Sequence, residues 1–261
     1  MKHMSGEVLA NDLRDRMGPT LVISAVLAGL AAFAISIAAG LGDSLDAMTD
    51  AFPEAVNAFI GADAPGGYVV SEVFELIAPL ALVAFAVTAG SAVIAGEEQR
   101  GTMSMLIAQP LSRSRVLTAK AFSVFITLAF AVVAIWSAIS ITVSIVDIEL
   151  GVSDTTAASV HLLALAVFFS SVALAVGAAT GGTNLALGIA GGLAAVSYLV
   201  KSMLPLAGLD SWAQLSPWYY YSGGNPLVEG INYGHIAVLV TLTAIALLVA
   251  YRTFRSRDLK G

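Results

Sequence analysis

121-AFSVFITLAFAVVAIWSAISITVSIV-146 is an uninterrupted run of 26 residues without a charged side chain. At about 1.5 Å rise per residue, a helix of that length reaches about 39 Å and crosses a hydrocarbon core about 30 Å thick. Lipid offers the backbone no hydrogen-bond partners, so the run is read as a helix that satisfies its own N–H and C=O groups. Working outward, five more runs of similar character stand at 19–40, 76–95, 162–180, 185–204 and 236–254. The chain of 261 residues is 58% hydrophobic and 11% charged, a balance that a water-exposed surface would not carry. The expected fold is all-α and integral to the membrane, with six transmembrane helices in one domain, 1–261.

Charge placement orients the chain. With the N-terminus cytoplasmic, Lys2, Arg14, Arg16, Arg100, Arg113, Arg115, Lys120, Arg252, Arg255, Arg257 and Lys260 all fall inside, and Lys201 alone falls outside. The positive-inside bias therefore places both termini in the cytoplasm. The outer loops are acidic, with Asp43, Asp46, Asp50, Glu54, Asp63, Glu72 and Glu75 before the second run. Such loops fit a halophilic, haloarchaeal source, and they equally follow from the topology rule alone. The net charge of −6, with acids and bases segregated, does not point to a nucleic-acid partner. The absence of cysteine excludes disulfides, thiolate metal sites and cysteine nucleophiles. The charged start precedes a 22-residue apolar run without a small-residue cleavage site, so it is expected to be retained.

Between the runs, four segments stand out. Residues 1–18 alternate Val8, Leu9, Leu13 and Met17 with charges, which suggests a short interfacial helix entering the membrane at Gly18-Pro19. The acidic outer loop 41–75 is amphipathic between Leu45 and Ile60 and is interrupted by Pro53, which reads as two short helices on the outer surface or a solvated loop. The outer loop 205–235 crowds Trp212, Trp218, Tyr219, Tyr220, Tyr221 and Tyr233, as an aromatic belt does, while Pro217 and Asn225-Pro226 favour a chain that dips back from the surface. The cytoplasmic loop 96–120 begins Gly96-Glu97-Glu98-Gln99-Arg100-Gly101-Thr102. Gly101 and Thr102 read as a break and an N-cap, Met103, Leu106 and Ile107 share one face of the helix that follows, and Pro110 stops it. That apolar stripe, flanked by Arg100 and Arg113, either rests on headgroups or fills a groove on a partner.

The pattern Glu98-x-x-Gly101-Thr102-x-x-x-Leu106-x-x-x-Pro110-x-Ser112-Arg113 resembles the cytoplasmic loop of type 2 ABC-transporter permeases. Leu215-Ser216-Pro217-Trp218-Tyr219-Tyr220-Tyr221 with Asn225-Pro226-Leu227 resembles the family's second patch, ahead of the last span. Phe52-Pro53-Glu54-Ala55 and Phe254-x-x-Arg257-Asp258-Leu259 are weaker echoes. The resemblance implies a coupling helix seated on a separate cytosolic ATPase subunit, with Glu98, Arg100, Gly101, Thr102, Met103, Leu106, Ile107, Pro110 and Arg113 in contact with that motor. It also implies a second permease copy or a similar chain, and Ser216, Pro217, Trp218, Tyr219, Asn225 and Pro226 in a re-entrant outer gate. The chain would then be a non-catalytic subunit of an exporter in a prokaryotic cell membrane. No Gly-x-x-x-x-Gly-Lys-Ser/Thr run is present, so ATP and Mg would be bound by the partner, with no cofactor here.

Other features have plainer readings. Small residues four apart, Gly177 and Gly181, then Gly188 and Gly192, suit either close packing within the chain or a dimer seam. Pro79 should kink the second run. Lys201 and Glu75 are expected at the outer interface, each snorkelling, and His161 and His235 as isolated, solvated histidines at that level. No charge falls at mid-run. An ATP-independent ion-coupled carrier or channel would require intramembrane carboxylates or broken helices, and an intramembrane protease would require a Ser and His within the bilayer.

Overall fold

The computed structural model describes residues 2–41, 51, 70, 72–102, 112–146, 148 and 150–257. The readings of 45–60 as surface helices, and of Met103, Leu106, Ile107 and Pro110 as a coupling stripe, lie outside these. Six helices among the described residues are long and apolar enough to cross a membrane. They are α1 (Lys2–Gly40), α2 (Val73–Gln99), α3 (Arg113–Val146), α4 (Val152–Thr180), α5 (Thr183–Met203) and α9 (Tyr233–Ser256). Between α5 and α9 run a 3-10 turn, Pro205–Ala207, and three short α-helices, α6 (Asp210–Ala213), α7 (Pro217–Ser222) and α8 (Pro226–Glu229).

The six apolar runs each lie on one of these long segments. The helices outrun them, because polar residues beyond the apolar stretch find partners on neighbouring helices. α1 is the clearest case. The sequence suggested a short interfacial helix entering the membrane at Gly18-Pro19, and α1 runs unbroken through both, with Pro19 in its interior. A proline there removes one backbone hydrogen bond and crowds the carbonyl four residues back. Packing outweighs that cost: Val8, Asp12, Thr20, Ser24, Leu27, Ala31 and Ile35 form one buried stripe at steps of three, four and eight on both sides of the proline. The stripe lies along α3, while α1 barely meets α2.

α4 and α2 form the centre. Two thirds of α4's apolar stretch (67%) and 61% of α2's are buried, against 22% for α1 and α5 and 17% for α9. α4 packs on α2, α3, α5 and α9. Where α2 crosses α4, a Cβ on Gly90 would collide with the backbone carbonyl of Ser170, and Gly177 faces Ser91 O and the Ala95 methyl. Small residues let these two backbones approach, which is how helices gain contact area in lipid. Gly188 and Gly192 instead have open space where a Cβ would stand, so they lie on an uncovered face of α5.

α2 is not a uniform helix. It opens with a π-helical segment at Val73–Ile77 and carries a second at Ala92–Gly96. The first directly precedes Pro79, whose ring needs room against the preceding turn, so the expected kink takes the form of a widened turn.

Candidate functional site

The bundle has two polar ends. The end where α1 begins and α9 ends gathers most of the described basic residues around the stem of the 96–120 loop. Glu97 and Glu98 stand at the C-terminal end of α2, where the helix dipole disfavours acids, and each is offset by a cation. Being adjacent on a helix, they point about 100° apart and reach different neighbours. Glu97 pairs with Lys120 of α3, and Glu98 pairs with Arg257, just past α9.

Lys120 also donates to Asp12 of α1 at 2.7 Å, Ser123 Oγ donates to the same carboxylate, and Arg16 Nε reaches it at 2.8 Å. Asp12 and Lys120 are only 6% and 4% exposed, so this is a buried, mutually satisfied cluster. Removing one partner of such a pair costs about 3 to 5 kcal/mol, because the other charge stays buried. Arg16 extends further, to the carbonyl of Ala89 on α2 at 3.5 Å.

The second half of this end is built on α9. Its last carbonyls have no helical partners. Arg113, in the first turn of α3, donates to the carbonyl of Arg257 at 2.7 Å and approaches those of Arg255 and Phe254 at 3.4 and 3.5 Å. Beside it, Gly181 ends α4 at φ +69°, with its N–H on Gly177 O at 2.8 Å. A Cβ on Gly181 would fall 2.9 Å from Glu98 Oε2 and against Arg257, so only glycine fits this left-handed position. Thr183, at the start of α5, donates to Gln99 at 2.9 Å.

Of the loop residues singled out from sequence, Glu98 is therefore buried on Arg257, and Arg113 caps α9. Gly101 turns at φ +73°, Thr102 folds back on Glu97 O, and Arg100 is exposed. Sequence reasoning missed Asp12 and Glu97 as site residues and used Lys120 only to orient the chain and to end the loop. The available signal was Asp12's place on the buried stripe of α1, four residues after Val8 and eight before Thr20.

The opposite end is closed mainly by neutral groups, with one ion pair, Lys201–Glu75, beside them. Ser216 caps α7 by accepting from Trp218 N at 3.1 Å, and its hydroxyl donates to Ser197 O at 2.6 Å. Trp218 Nε1 donates to Ala194 O at 3.0 Å, and Tyr221 OH donates to Phe74 O. Ser197 and Ala194 precede the end of α5 by about 9 and 14 Å at about 1.5 Å per residue, so α7 is sunk beside the long helices. Trp218 packs there on Tyr198 and Phe169, 5.1 and 6.1 Å between ring centres. Burial, with the Glu75 carboxylate nearby, pushes the Tyr221 phenol well above its ordinary range, so it stays a donor. Tyr219 lies half-buried against His235, Asn225 turns at φ 40°, and Pro226 is buried at the start of α8.

Two expectations change at this end. His161 is buried, with Nδ1 at 3.1 Å from Tyr220 O and Nε2 accepting from Asn232 N–H at 3.1 Å, and its ring lies 6.4 Å from His235. It is an internal strut for the loop, neither isolated nor solvated, because it fills backbone hydrogen-bonding needs that lipid cannot. Lys201 and Glu75 pair with each other at 3.0 Å, a shorter route to satisfaction than separate snorkelling.

Between α2 and α5 an open furrow of about 490 Å³ runs over Val83, Val87, Ala194 and Tyr198, with Trp218 at its floor and no charged group in its lining. Among the described residues, no cluster of histidine and carboxylate side chains is arranged to hold a metal ion.

A search of curated proteins finds no match. The family model described as ABC-2 family transporter protein, however, matches residues 7–259, from the turn of α1 before Asp12 to beyond Arg257, and so takes in both polar ends: the chain belongs to the ABC-2 transporter family, as a membrane-spanning permease.

Proposed function

We propose that this permease is an exporter subunit driven by a separate cytosolic P-loop ATPase that docks on the 96–120 loop. The observation that carries the reading is the fastening of that loop's stem. The residues leaving α2 and those entering α3 are held to α1 by Asp12, to the α4–α5 turn by Glu98 beside Gly181, and to α9 by Arg257 and Arg113. Push on the loop, and force reaches the first and last spans together.

The basic end is cytoplasmic in this reading, and the membrane is that of a prokaryotic cell, with a haloarchaeal source consistent with the acidic loops. The glycine face of α5 and the furrow beside it receive a second permease copy or a similar chain. An uncharged furrow suits an apolar or amphipathic cargo. ATP and Mg belong to the partner subunit, and α7 with its aromatic neighbours closes the outer exit.

The test is co-purification in detergent with a P-loop ATPase encoded in a neighbouring reading frame. Wild type should retain the ATPase and stimulate its hydrolysis, and Leu106→Pro should lose both. An ATPase that never associates, or one indifferent to Leu106→Pro, would overturn the docking assignment. Single cysteines placed at Ser112 and Ser153 in this cysteine-free chain should label from opposite faces, the first from the cytoplasm.

A further inference from the structure

We infer that Asp12 is a positioning residue for energy coupling: it holds both ends of the 96–120 loop against α1, so that displacement of the loop is delivered to the first span. The inference rests on the reading of that loop as the motor-docking element, and it adds a path that the loop residues themselves do not supply.

α1 packs on the bundle almost wholly along α3, and its contact with α2 is slight. Along that seam the hydroxyls of Thr20 and Ser24 are buried without a hydrogen-bond partner, and beyond them the stripe is Leu27, Ala31 and Ile35. An apolar seam resists separation and tolerates sliding. The polar fastening is Asp12, one carboxylate that takes Lys120 Nζ, Ser123 Oγ and its own helix's Arg16. Lys120 is shared with Glu97, so the last turn before the loop and the first turns after it meet at one point on α1.

The clasp also straddles a weak place in α2. Arg16 approaches Ala89 O at 3.5 Å below the π-helical segment Ala92–Gly96, while Glu97, reached through Lys120, lies above it. Such segments interrupt the regular i→i−4 ladder and are sites where a helix changes pitch. A change there moves Glu97 relative to Ala89, and Asp12 with Arg16 spans both. Glu97 Oε2 is buried and unpartnered, which leaves Lys120 a second acceptor position into which it can shift without leaving the cluster. Stability alone does not call for this arrangement, since apolar residues of similar volume replace buried ion pairs with little loss.

The experiment uses the full-length permease with its ATPase in nanodiscs, spin-labelled at Gly40→Cys on α1 and Val160→Cys on α4. Wild type should show a nucleotide-dependent change in the label distance. Asp12→Asn should bind the ATPase with unchanged affinity, lose most of the distance change, and lower permease-stimulated hydrolysis by about fivefold or more, the low end of typical coupling factors. Asp12→Glu should restore part of both. Because Asp12→Asn could fail to fold, Asp12→Leu with Lys120→Met and Glu97→Gln replaces the buried ion pairs by neutral groups: it should melt near wild type and remain uncoupled. Wild-type coupling in that triple variant, or in a folded Asp12→Asn, overturns the inference. An ATPase that does not bind the wild type overturns the docking reading and this inference with it, whereas binding and a distance change in wild type that survive in the variants overturn only the role of Asp12.

Discussion

The two ends of the bundle are closed by different chemistry. At the basic end, ion pairs join side chains from α1, α2, α3 and the end of α9. At the aromatic end, Ser216, Trp218 and Tyr221 donate to backbone carbonyls, and His161 braces the loop. Charge pairs act over several ångströms and can change partners while remaining paired, whereas a hydrogen bond to a helix carbonyl fixes one geometry. The first kind of closure tolerates a shift, and the second holds one position. The permease thus places adaptable contacts where the loop enters and rigid ones where α7 is sunk between α5 and α4.

The contrast can be broken at graded cost. Lys120→Ala leaves Asp12 and Glu97 buried together and should destabilise by about 3 to 5 kcal/mol, read as a fall in melting temperature in detergent. Gly90→Ala drives a methyl into the Ser170 carbonyl at the crossing that joins the two ends, and should cost about 1 to 3 kcal/mol by the same measurement. Ser216→Ala removes the cap of α7 and its bond to Ser197 O, a loss of about 1 kcal/mol, and should raise labelling of a cysteine placed at Tyr219 while leaving ATPase binding unchanged. Arg252→Gln, on an exposed face of α9, should stay within about 0.5 kcal/mol of wild type in the same melt. If Ser216→Ala instead weakened ATPase binding as strongly as Lys120→Ala, the two ends would not be separable.

Part of the aromatic end was legible, because Pro217 and Asn225-Pro226 punctuate the loop where α7 and α8 begin, and the aromatics announce an interface. What was not legible is the partner of each group. Trp218 reaches Ala194 across 24 positions, and Tyr221 reaches Phe74 across 147. At the basic end Glu98 was singled out by its register in the loop, yet its partner Arg257 lies 159 residues away, and Asp12 is 108 from Lys120. A surface pattern of charges does not reveal which charges are buried.

The number of spans, their order, and the gathering of most of the described basic residues at the end where α1 begins and α9 ends were determined by the sequence itself, since each depends on local hydropathy and on the simple alternation of crossings. Tertiary structure alone decided that α1 runs through Pro19, that α2 widens into two π-helical segments, that His161 is internal, and that Lys120 joins Glu97 of α2 to Asp12 of α1. Each of these depends on what a distant helix presents at that position, and packing against that helix outweighs the local preference of the residue.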